Sequence, residues 1–357
     1  MTQVAFYAPM KAPTHPTPSG DREMARNLIA MIGQNDATVN LVSELRLHEK
    51  AGDPLAQIEI RKQAAAEAHR LIRDLPETDL WVSYHNYYKA PDLIGPAVCA
   101  ARQIPYVQIE STRAKKRLTG PWAGFAQAAH DACDAAQLVF HLTGQDHFAL
   151  NRDKPATQLL APLPPFLPTD TLPPASDLDG PILSVGMMRE GDKLASYKII
   201  AETLGQTPGD WRLEIAGDGP AEPQVRALMA PYGHRVTYLG RLDQDTLSHA
   251  YRRAGLFLWP GVNEAFGMVY LEAQAHGLPV VAQNRPGVRD VLAPGSYPAL
   301  KQGESALAGE ISRLLADPKL RQYRGRTARD YIKANHLIGS ASLRFWSAVT
   351  PLLEAPS

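Results

Sequence analysis

Two glutamates, Glu264 and Glu272, lie eight residues apart in the segment WPGVNEAFGMVYLEAQAHGLPVVA. An apolar strand pattern precedes Glu264, and a helical pattern begins near Gly267, between the two carboxylates. Backbone N–H groups in the first turn of a helix have no intrahelical partner and favour a phosphate. A carboxylate on either side of such a seat can accept hydroxyl protons from a sugar. The spacing therefore predicts a pocket for a nucleotide sugar.

Short apolar runs alternate with amphipathic segments along the whole chain, which predicts parallel sheets covered by helices. Five strands are predicted in each half: Val4–Tyr7, Thr38–Val42, Leu80–Tyr84, Tyr106–Ile109 and Leu138–Leu142, then Ile182–Met187, Arg212–Ala216, Val236–Leu239, Leu256–Trp259 and Pro279–Ala282. Six prolines between Ala161 and Gly180 predict an extended linker, because proline removes a backbone donor and fixes φ.

This pattern divides the chain into two α/β domains. We expect an acceptor-side domain at 1–160, a linker at 161–180, a donor-binding domain at 181–335 and a helical tail at 336–357. Periodicity predicts a helix over residues 340–353 but does not place it. Open α/β sheets bind ligands beyond the carboxyl ends of their strands, so the chemistry should lie in strand-to-helix loops.

Composition excludes several functional classes. Lys plus Arg and Asp plus Glu number 37 each in 357 residues, so no global field draws the protein to nucleic acid. The N-terminal sequence lacks the pattern of a signal peptide, and no apolar run reaches the ~20 residues that span a bilayer. Cys99 and Cys133 lack metal-ligand spacing. A cytoplasmic protein without disulfides is therefore expected.

Four sequence blocks occur in a characteristic order: VG at 185–186, EIAGDGP at 214–220, VTYLG at 236–240, and the Glu264/Glu272 segment. Together they resemble the second domain of family 4 glycosyltransferases, which are retaining enzymes of the GT-B fold. The resemblance covers residues 182–295 well and the tail to Leu353 loosely.

The resemblance implies two Rossmann-like doubly wound parallel-sheet domains facing a central cleft, with a C-terminal helix. It implies a hexosyltransferase that uses a UDP-, GDP- or ADP-sugar, without metal or other cofactor. The acceptor would offer a hydroxyl on a sugar, a lipid or another small molecule.

The resemblance also assigns donor-binding residues. Glu264 would bind hydroxyls of the donor sugar, and Glu272 would bind the ribose. Backbone N–H groups of one segment would face the diphosphate: Phe266, Gly267, Met268 and Val269. A second segment would border the base: Gly240, Arg241 and Leu242. The structural alternative is a loop carboxylate that caps the helix and an exposed helical glutamate.

The phosphate-binding cations depart from the family pattern. The family has an arginine directly after the glycine of its first strand; here that glycine is Gly186 and Met187 follows it. Lys193 falls at the spacing of the family's lysine, and Arg189 lies two residues beyond Met187. We hypothesise that Arg189 and Lys193 neutralise the diphosphate where charge develops. A solvated basic loop is the alternative.

The first half resembles the family more faintly. Gly20, in the loop after the first strand, matches a family loop that lies near the donor phosphate and the acceptor. That loop usually contains paired glycines, whereas Gly20 stands alone here. Ser19 or Asp21 could instead cap the helix that follows. His85 ends the third predicted strand beside two tyrosines, where a role in ligand binding and a purely structural role are both open.

Glu110 ends the next strand, at a position where the family has a histidine. A carboxylate there could orient the acceptor hydroxyl or stabilise positive charge on the sugar ring. It could also pair with Arg113 or Arg117 and have no catalytic role.

One basic–aromatic run follows Glu110: Arg113, Lys115, Lys116 and Arg117, then Trp122 and Phe125. It could receive an anionic acceptor or contact an anionic membrane surface peripherally, or it could be a solvated loop.

Metal and covalent chemistry have little support in the sequence. Two Asp-x-Asp pairs occur, at 177–179 in the linker and at 243–245 before a helix, where Asp is a good N-cap. The eleven histidines show no zinc spacing. Three alternatives to a transferase stay open: an epimerase or phosphorylase of the same fold, an exported sugar-binding protein, and a catalytically silent nucleotide-sugar binder.

Overall fold

The computed structural model describes residues 1–17 and 19–354, which form two compact units. One unit is Met1–Pro164 together with the C-terminal segment that begins at Ile338; the other is Pro165–Leu337. Pro18 of the predicted glycine loop, and residues 355–357 of the predicted tail, lie outside the described residues. Each unit contains one parallel sheet covered by helices, which confirms the predicted fold class.

The first unit has a six-stranded parallel sheet in the order β2-β1-β3-β4-β5-β6. Its strands are β1 Thr2–Tyr7, β2 Ala37–Ser43, β3 Leu80–Asn86, β4 Tyr106–Ser111, β5 Leu138–His141 and β6 Leu159–Pro162. Its helices are α1 Gly20–Ile32, α2 Pro54–Asp74, α3 Gly95–Arg102, α4 Ala123–Ala135 and α5 Gly144–Asp153, with a 3-10 turn at Lys115–Arg117.

The second unit has a five-stranded parallel sheet in the order β11-β10-β7-β8-β9. Its strands are β7 Ile182–Val185, β8 Leu213–Ala216, β9 Val236–Gly240, β10 Leu256–Leu258 and β11 Val280–Val281. Its helices are α6 Asp192–Gly205, α7 Glu222–Met229, α8 Gln244–Arg253, α9 Met268–Ala275, α10 Val288–Val291, α11 Gly303–Ala316 and α12 Pro318–Asn335, with 3-10 turns at Ala230–Arg235 and Leu300–Gln302.

All ten predicted strands are present, and β6 is a strand that the sequence did not predict. It is an edge strand that pairs only with β5 and ends at Pro162. A proline is tolerated there because an edge strand leaves one row of backbone groups unpaired. The predicted linker therefore begins inside the sheet of the first unit. Phe166, further along the linker, is buried, and Leu167 joins the core of the second unit and pairs with Leu337.

The C-terminal helix, α13 Ile338–Glu354, belongs to the first unit. The Phe345 ring stacks on Phe140 of β5, with ring centres 5.1 Å apart. The indole nitrogen of Trp346 donates to the Ile32 carbonyl at the end of α1, at 3.1 Å. The predicted helix is thus present, and its apolar face completes the core of a sheet that lies far earlier in the chain.

Two other features of the described residues bear on the sequence predictions. Cys99 and Cys133 are buried free thiols. Within residues 1–17 and 19–354, no helix is both long enough and apolar enough to cross a bilayer.

Replacing Phe345 should test how far the first unit depends on α13. Phe345→Ala should destabilise that unit by about 3–5 kcal/mol, because it removes a fully buried ring and leaves a cavity. Hydrogen exchange of the β1 and β5 amides measures the change separately from the second unit. Leu343→Ala, on the same helix but 73% exposed, should change stability by less than ~0.5 kcal/mol. Equal effects of the two changes would contradict the packing described above.

Candidate active site

The helix predicted after Glu264 begins at Met268, and no side chain caps it. Its N-cap residue is Gly267, with φ 72°, and a Cβ there would lie 2.8 Å from the Tyr270 ring. Both the conformation and the close ring therefore require glycine. The predicted diphosphate-facing segment, Phe266 to Val269, is half-buried. The Tyr270 N–H donates to the Gly267 carbonyl at 3.0 Å, so the N–H groups of Met268 and Val269 are the first-turn donors left for an anion.

Glu264 is held by two partners that come from different elements. Lys193, the second residue of α6, forms an ion pair and a hydrogen bond with Glu264 Oε1. The same oxygen accepts a hydrogen bond from Trp259 Nε1 at 3.0 Å. The Lys193 ammonium also lies 5.3 Å from the centre of the Trp259 ring. Two residues predicted independently from the sequence are therefore in contact, and the Glu264 side chain is only 13% exposed.

The first turn of α6 fixes the loop that carries Glu264. Ser196 Oγ accepts the Val262 N–H at 3.1 Å. Asn263 Nδ2 donates to Asp192 Oδ1 at 2.8 Å, and Asn263 has a left-handed φ of 48°. Together with the Lys193–Glu264 pair, these bonds join three consecutive loop residues to one helix end. The position of the Glu264 carboxylate is therefore set by the fold and does not depend on a ligand.

Glu272 lies on α9 and is anchored from α8. The Tyr251 hydroxyl donates to Glu272 Oε2 at 2.9 Å. Burial raises the pKa of Glu272, although the bond from Tyr251 opposes that shift. The alternative of an exposed helical glutamate is therefore wrong, because this carboxylate is partly buried and hydrogen-bonded.

The turn after β7 contains Gly186 and the residues predicted to bind phosphate. A Cβ at Gly186 would lie 2.5 Å from the Trp259 ring, so the glycine permits this packing. Met187 is 51% exposed, and Arg189 is also exposed. Across the described residues, no ion pair or hydrogen bond joins Arg189 to Glu264 or Lys193. The structure brings Lys193, but not Arg189, to the Glu264 loop.

Glycines of the AGDGP block pack three turns against one another. Gly217 has φ 135°, and a Cβ there would lie 2.0 Å from the Gly186 carbonyl oxygen. The Gly217 N–H donates to the Gly240 carbonyl at 2.7 Å. These glycines therefore serve close packing of the turns after β7, β8 and β9. Of the residues predicted to border the base, Arg241 is exposed and Leu242 is partly buried against the core.

Arg285 is a candidate residue that the sequence reasoning missed. It follows β11, is partly buried, and donates from Nε and Nη2 to Gln283 Oε1, at 3.0 and 2.5 Å. Burial lowers the pKa of this guanidinium. The ion pairs of the described residues include no carboxylate partner for it. An arginine directly before the Pro286-Gly287 turn, at the carboxyl edge of a strand, was the available signal.

In the first unit, a hydrogen bond joins Asp21 to His85. Ser19 is the N-cap of α1, where its Oγ accepts the Arg22 N–H at 3.3 Å. Asp21 is therefore not needed as a cap, and its Oδ1 lies 2.9 Å from His85 Nδ1. Gly20 has no heavy atom within 4 Å of the position a Cβ would take. The start of α1 is thus open, and Asp21 is a second site residue that the sequence did not assign.

His85 and Glu110 are neighbours on adjacent strands. The β3–β4 register pairs Tyr84 with Ile109 and Asn86 with Ser111. His85 has φ 64° and Glu110 has φ 60°, a conformation that side-chain-bearing residues rarely adopt. Such outliers cluster at active sites, where the surrounding structure holds them in place.

The two side chains also shift each other's protonation. Burial lowers the pKa of His85, but the carboxylates of Glu110 and Asp21 outweigh it and raise that pKa above its usual value. Burial raises the pKa of Glu110, and the neighbouring His85 only partly opposes this. The pairing of Glu110 with Arg113 or Arg117 is wrong, because Arg113 pairs with Asp134 and Arg117 lies over Tyr88 and Trp122.

The structure separates the members of the basic–aromatic run. Arg113 is buried and paired, Lys115 pairs with Asp153 at 2.7 Å, and Phe125 is fully buried. These three residues therefore stabilise the fold. Arg117 and Trp122 contact each other at the surface.

The Asp-x-Asp pairs have structural partners in the described residues. Asp243 caps α8 by accepting the Thr246 N–H at 2.8 Å, and Asp179 lies 3.9 Å from Arg321. Within 1–17 and 19–354, no group of three or more His, Cys, Asp or Glu side chains could hold a metal ion.

Comparisons with known proteins show what the second unit resembles. Residues 193–331 match the family described as glycosyl transferases group 1. The chain is 27% identical over 277 residues to the alpha-D-kanosaminyltransferase of Streptomyces kanamyceticus, covering 72% of this chain and 71% of that protein. It is 28% identical over 159 residues to sulfoquinovosyl transferase SQD2 of Arabidopsis thaliana, covering 42% of this chain but only 29% of that protein.

A solved structure shares the fold over nearly the whole chain. It is Anabaena Alr3699/HepE in complex with UDP and glucose, with a TM-score of 0.69 and 16% identity. The match covers 98% of this chain and all of that one. The two-sheet architecture described above is therefore a known fold.

The Asp21–His85 bond should be visible in a titration. In the wild-type protein the His85 pKa should lie above 6.5, and Asp21→Asn should lower it, because burial then acts with less opposition. NMR of the imidazole C–H resonances measures the midpoint, and His85→Gln identifies the signal. Asp36→Asn, which replaces a carboxylate whose side chain is 81% exposed, is the matched control. An unchanged midpoint in Asp21→Asn would refute the pairing.

The same shift has a consequence for stability. A pKa raised in the folded state stabilises the protein below the unfolded pKa near 6.5. This contribution should fade as the pH rises through the folded-state pKa of His85.

Proposed function

We propose that this chain is a retaining, metal-independent transferase of family 4. Its residues 193–331 match the group 1 glycosyltransferases, and its fold is GT-B. It would move a hexosyl group from a nucleotide-diphospho-sugar to an acceptor hydroxyl. The observation that carries this proposal is the Glu264 carboxylate, held by Lys193 and Trp259 directly before the uncapped first turn of α9.

The second unit would bind the donor. Glu264 accepts hydroxyl protons of the sugar, since a carboxylate accepts more than one such bond and charge-assisted bonds are strong. The α9 N–H groups and the Lys193 ammonium stabilise the negative charge that develops on the departing nucleoside diphosphate. Glu272, oriented by Tyr251, binds the ribose hydroxyls. The Anabaena structure is in complex with UDP and glucose, which favours a uridine diphosphate sugar as the donor.

Transfer would proceed on one face of the sugar ring. The acceptor oxygen forms a bond to the anomeric carbon while the bond from that carbon to the donor phosphate breaks. The acceptor proton passes to the departing phosphate oxygen, so no protein nucleophile is required. His85 and Glu110, at the carboxyl edge of the first sheet, are assigned to the acceptor hydroxyl. A sugar or lipid acceptor and a cytoplasmic location stay predictions.

One observation favours a second candidate, a nucleotide-sugar binder without turnover. Met187 stands exposed where the resembling enzymes have an arginine, so one phosphate-binding charge is missing. Slow hydrolysis of the donor to a free nucleoside diphosphate separates the candidates, because a binder releases the donor unchanged.

Nucleotide sugars should stabilise the protein against heat without a divalent metal. A ligand at 100 times its dissociation constant adds about 2.7 kcal/mol to the free energy of unfolding. We expect UDP-sugars to raise the melting temperature more than GDP- or ADP-sugars, and EDTA to leave the shift unchanged. Free hexoses serve as the control. The absence of a shift with every nucleotide sugar, with and without magnesium, would refute the proposed donor site.

Charge removal at the Glu264 loop should impair turnover. Lys193→Met should lower kcat about 10²- to 10³-fold, because a preorganised charge next to the leaving group is lost. Glu264→Gln should lower kcat/KM, because the amide accepts hydroxyl protons less strongly. Release of nucleoside diphosphate measures both effects. Lys198→Met and Glu190→Gln, exposed changes of the same type, should have near wild-type rates. Wild-type turnover in Lys193→Met would remove its assigned role.

A further inference from the structure

A group of basic and aromatic side chains lies near the carboxyl edge of the first sheet; we call it the Tyr88–Trp122 cluster. It consists of Tyr88 and Trp122 with Lys89, Arg117 and Arg46. The two rings meet edge to face with centres 5.7 Å apart. The Lys89 ammonium lies 5.8 Å from the Tyr88 ring centre and 5.1 Å from that of Trp122. The Arg117 guanidinium lies 5.1 and 5.4 Å from the same two centres. Two cations therefore share one pair of rings.

Arg46 is held beside these cations by the backbone. Its Nε donates to the Met10 carbonyl at 3.0 Å, and its Nη2 lies 3.1 Å from His48 Nδ1. The Glu49 N–H donates to the Lys89 carbonyl at 2.9 Å, which joins the two segments. Burial, together with the charges of Arg46 and Lys89, lowers the pKa of His48. The carboxylates of Glu49 and Asp21 oppose this shift only in part.

The charges of the cluster are not neutralised by carboxylates. Among the ion pairs of residues 1–17 and 19–354, none includes Arg46, Lys89 or Arg117. Glu49, the nearby carboxylate, instead accepts backbone N–H groups, including that of Ala51 at 2.7 Å. The contrast with Arg113 and Lys115, which both have acidic partners, shows that this chain does not leave cations unpaired throughout the region.

Holding these cations together costs free energy. Lys89 and Arg117 both lie within 5.4 Å of the Trp122 ring centre, so they are less than about 11 Å apart. This upper limit on the distance between the two cations is close to the Debye length of ~10 Å at 0.1 M salt, so their repulsion is only partly screened. Cation–π contacts offset part of that cost. A bound anion would offset the remainder.

The cluster continues into the residues assigned to the acceptor. The His85 and Tyr87 ring centres are 4.8 Å apart, and those of Tyr87 and Tyr88 are 5.5 Å apart. Tyr87 OH lies 3.5 Å from Met10 Sδ, and Arg46 bonds to the carbonyl of the same methionine. Two rings, Tyr87 and Tyr88, thus connect the His85 imidazole to the rings that carry the cations.

We propose that the Tyr88–Trp122 cluster binds a phosphate group of the acceptor. This inference rests on the proposed function and specifies the substrate class of the acceptor side. A phosphate monoester carries about −1.5 to −2 charges at pH 7, which matches two or three cations better than a carboxylate does. The planar fork of Arg117 suits phosphate oxygens, while Lys89 acts as a point charge. A free sugar phosphate and a phospholipid headgroup offer the same chemistry.

The test compares phosphorylated and unphosphorylated probes. Calorimetry measures binding of glucose, glucose 6-phosphate and inorganic phosphate, with and without UDP. Sedimentation measures binding to phosphatidylcholine vesicles with and without phosphatidylglycerol. The variant Lys89→Met/Arg117→Met removes both charges but retains apolar stems against the rings. Lys62→Met/Lys333→Met changes the net charge equally at two exposed sites and is the matched control. Circular dichroism establishes that both variants fold.

We expect a phosphate-bearing probe to bind, and the Lys89→Met/Arg117→Met variant to weaken that binding at least ~10-fold, because the variant removes two charge-assisted contacts with the phosphate. Rising salt should weaken it as well, while the control variant binds as the wild type. Glucose 6-phosphate binding would identify a soluble acceptor, and binding restricted to phosphatidylglycerol vesicles would identify a lipid one.

Two negative results have different meanings. If the wild-type protein binds UDP but no phosphate-bearing probe, or if the double variant binds such a probe normally, the phosphate subsite is refuted and the transferase assignment stands. If UDP and UDP-sugars do not bind, the donor site fails, and the measurements without nucleotide still decide whether the cluster binds phosphate.

Discussion

Tyr270 is the side chain on which the geometry of the loop that carries Glu264 depends. It is fully buried, and its hydroxyl donates to the Trp259 carbonyl at 3.0 Å. Its ring fills the space that a Cβ of Gly267 would take, and its hydroxyl oxygen lies 2.2 Å from where a Cβ of Gly261 would lie. One residue therefore joins the end of the strand, the loop and the helix start. Glu264 lies between these fixed points, so its carboxylate has little freedom to move.

The first unit uses a polar network for the same purpose. The strained backbone of His85 and Glu110 costs roughly 1–3 kcal/mol at each residue. Directly beyond His85, the buried Asn86 donates from Nδ2 to Gln108 Oε1 at 3.2 Å and to Ser111 Oγ at 2.9 Å. Such buried bonds contribute about 1 kcal/mol each and would be expensive to leave unmade. The network therefore offsets part of the strain and holds the ends of β3 and β4 in register.

Whether a feature of this fold or site can be predicted depends on how far apart in the sequence its interacting residues are. The ten strands, and the helix start near Gly267, were predicted because apolar runs and glycines are local signals. The edge strand β6 was missed because its four residues merge with a proline-rich segment. The choice between Ser19 and Asp21 as the cap of α1 depends on His85, which is 64 residues from Asp21. No local pattern contains that bond. The placement of α13 similarly depends on Phe140, far earlier in the chain.

Under the proposed function, the Lys193–Glu264 pair gives a physical reason why the site could bind a donor with Met187 in place of an arginine. A largely buried carboxylate without a partner would be strongly destabilising, so Lys193 neutralises Glu264 when no donor is bound. Under the proposed function, a donor brings hydroxyl protons for Glu264 and negative charge for Lys193. Both members of the pair then exchange one partner for another, and neither is left uncompensated. Because position 187 provides no charge, Lys193 would bear more of the charge on the leaving diphosphate than in enzymes that have an arginine there.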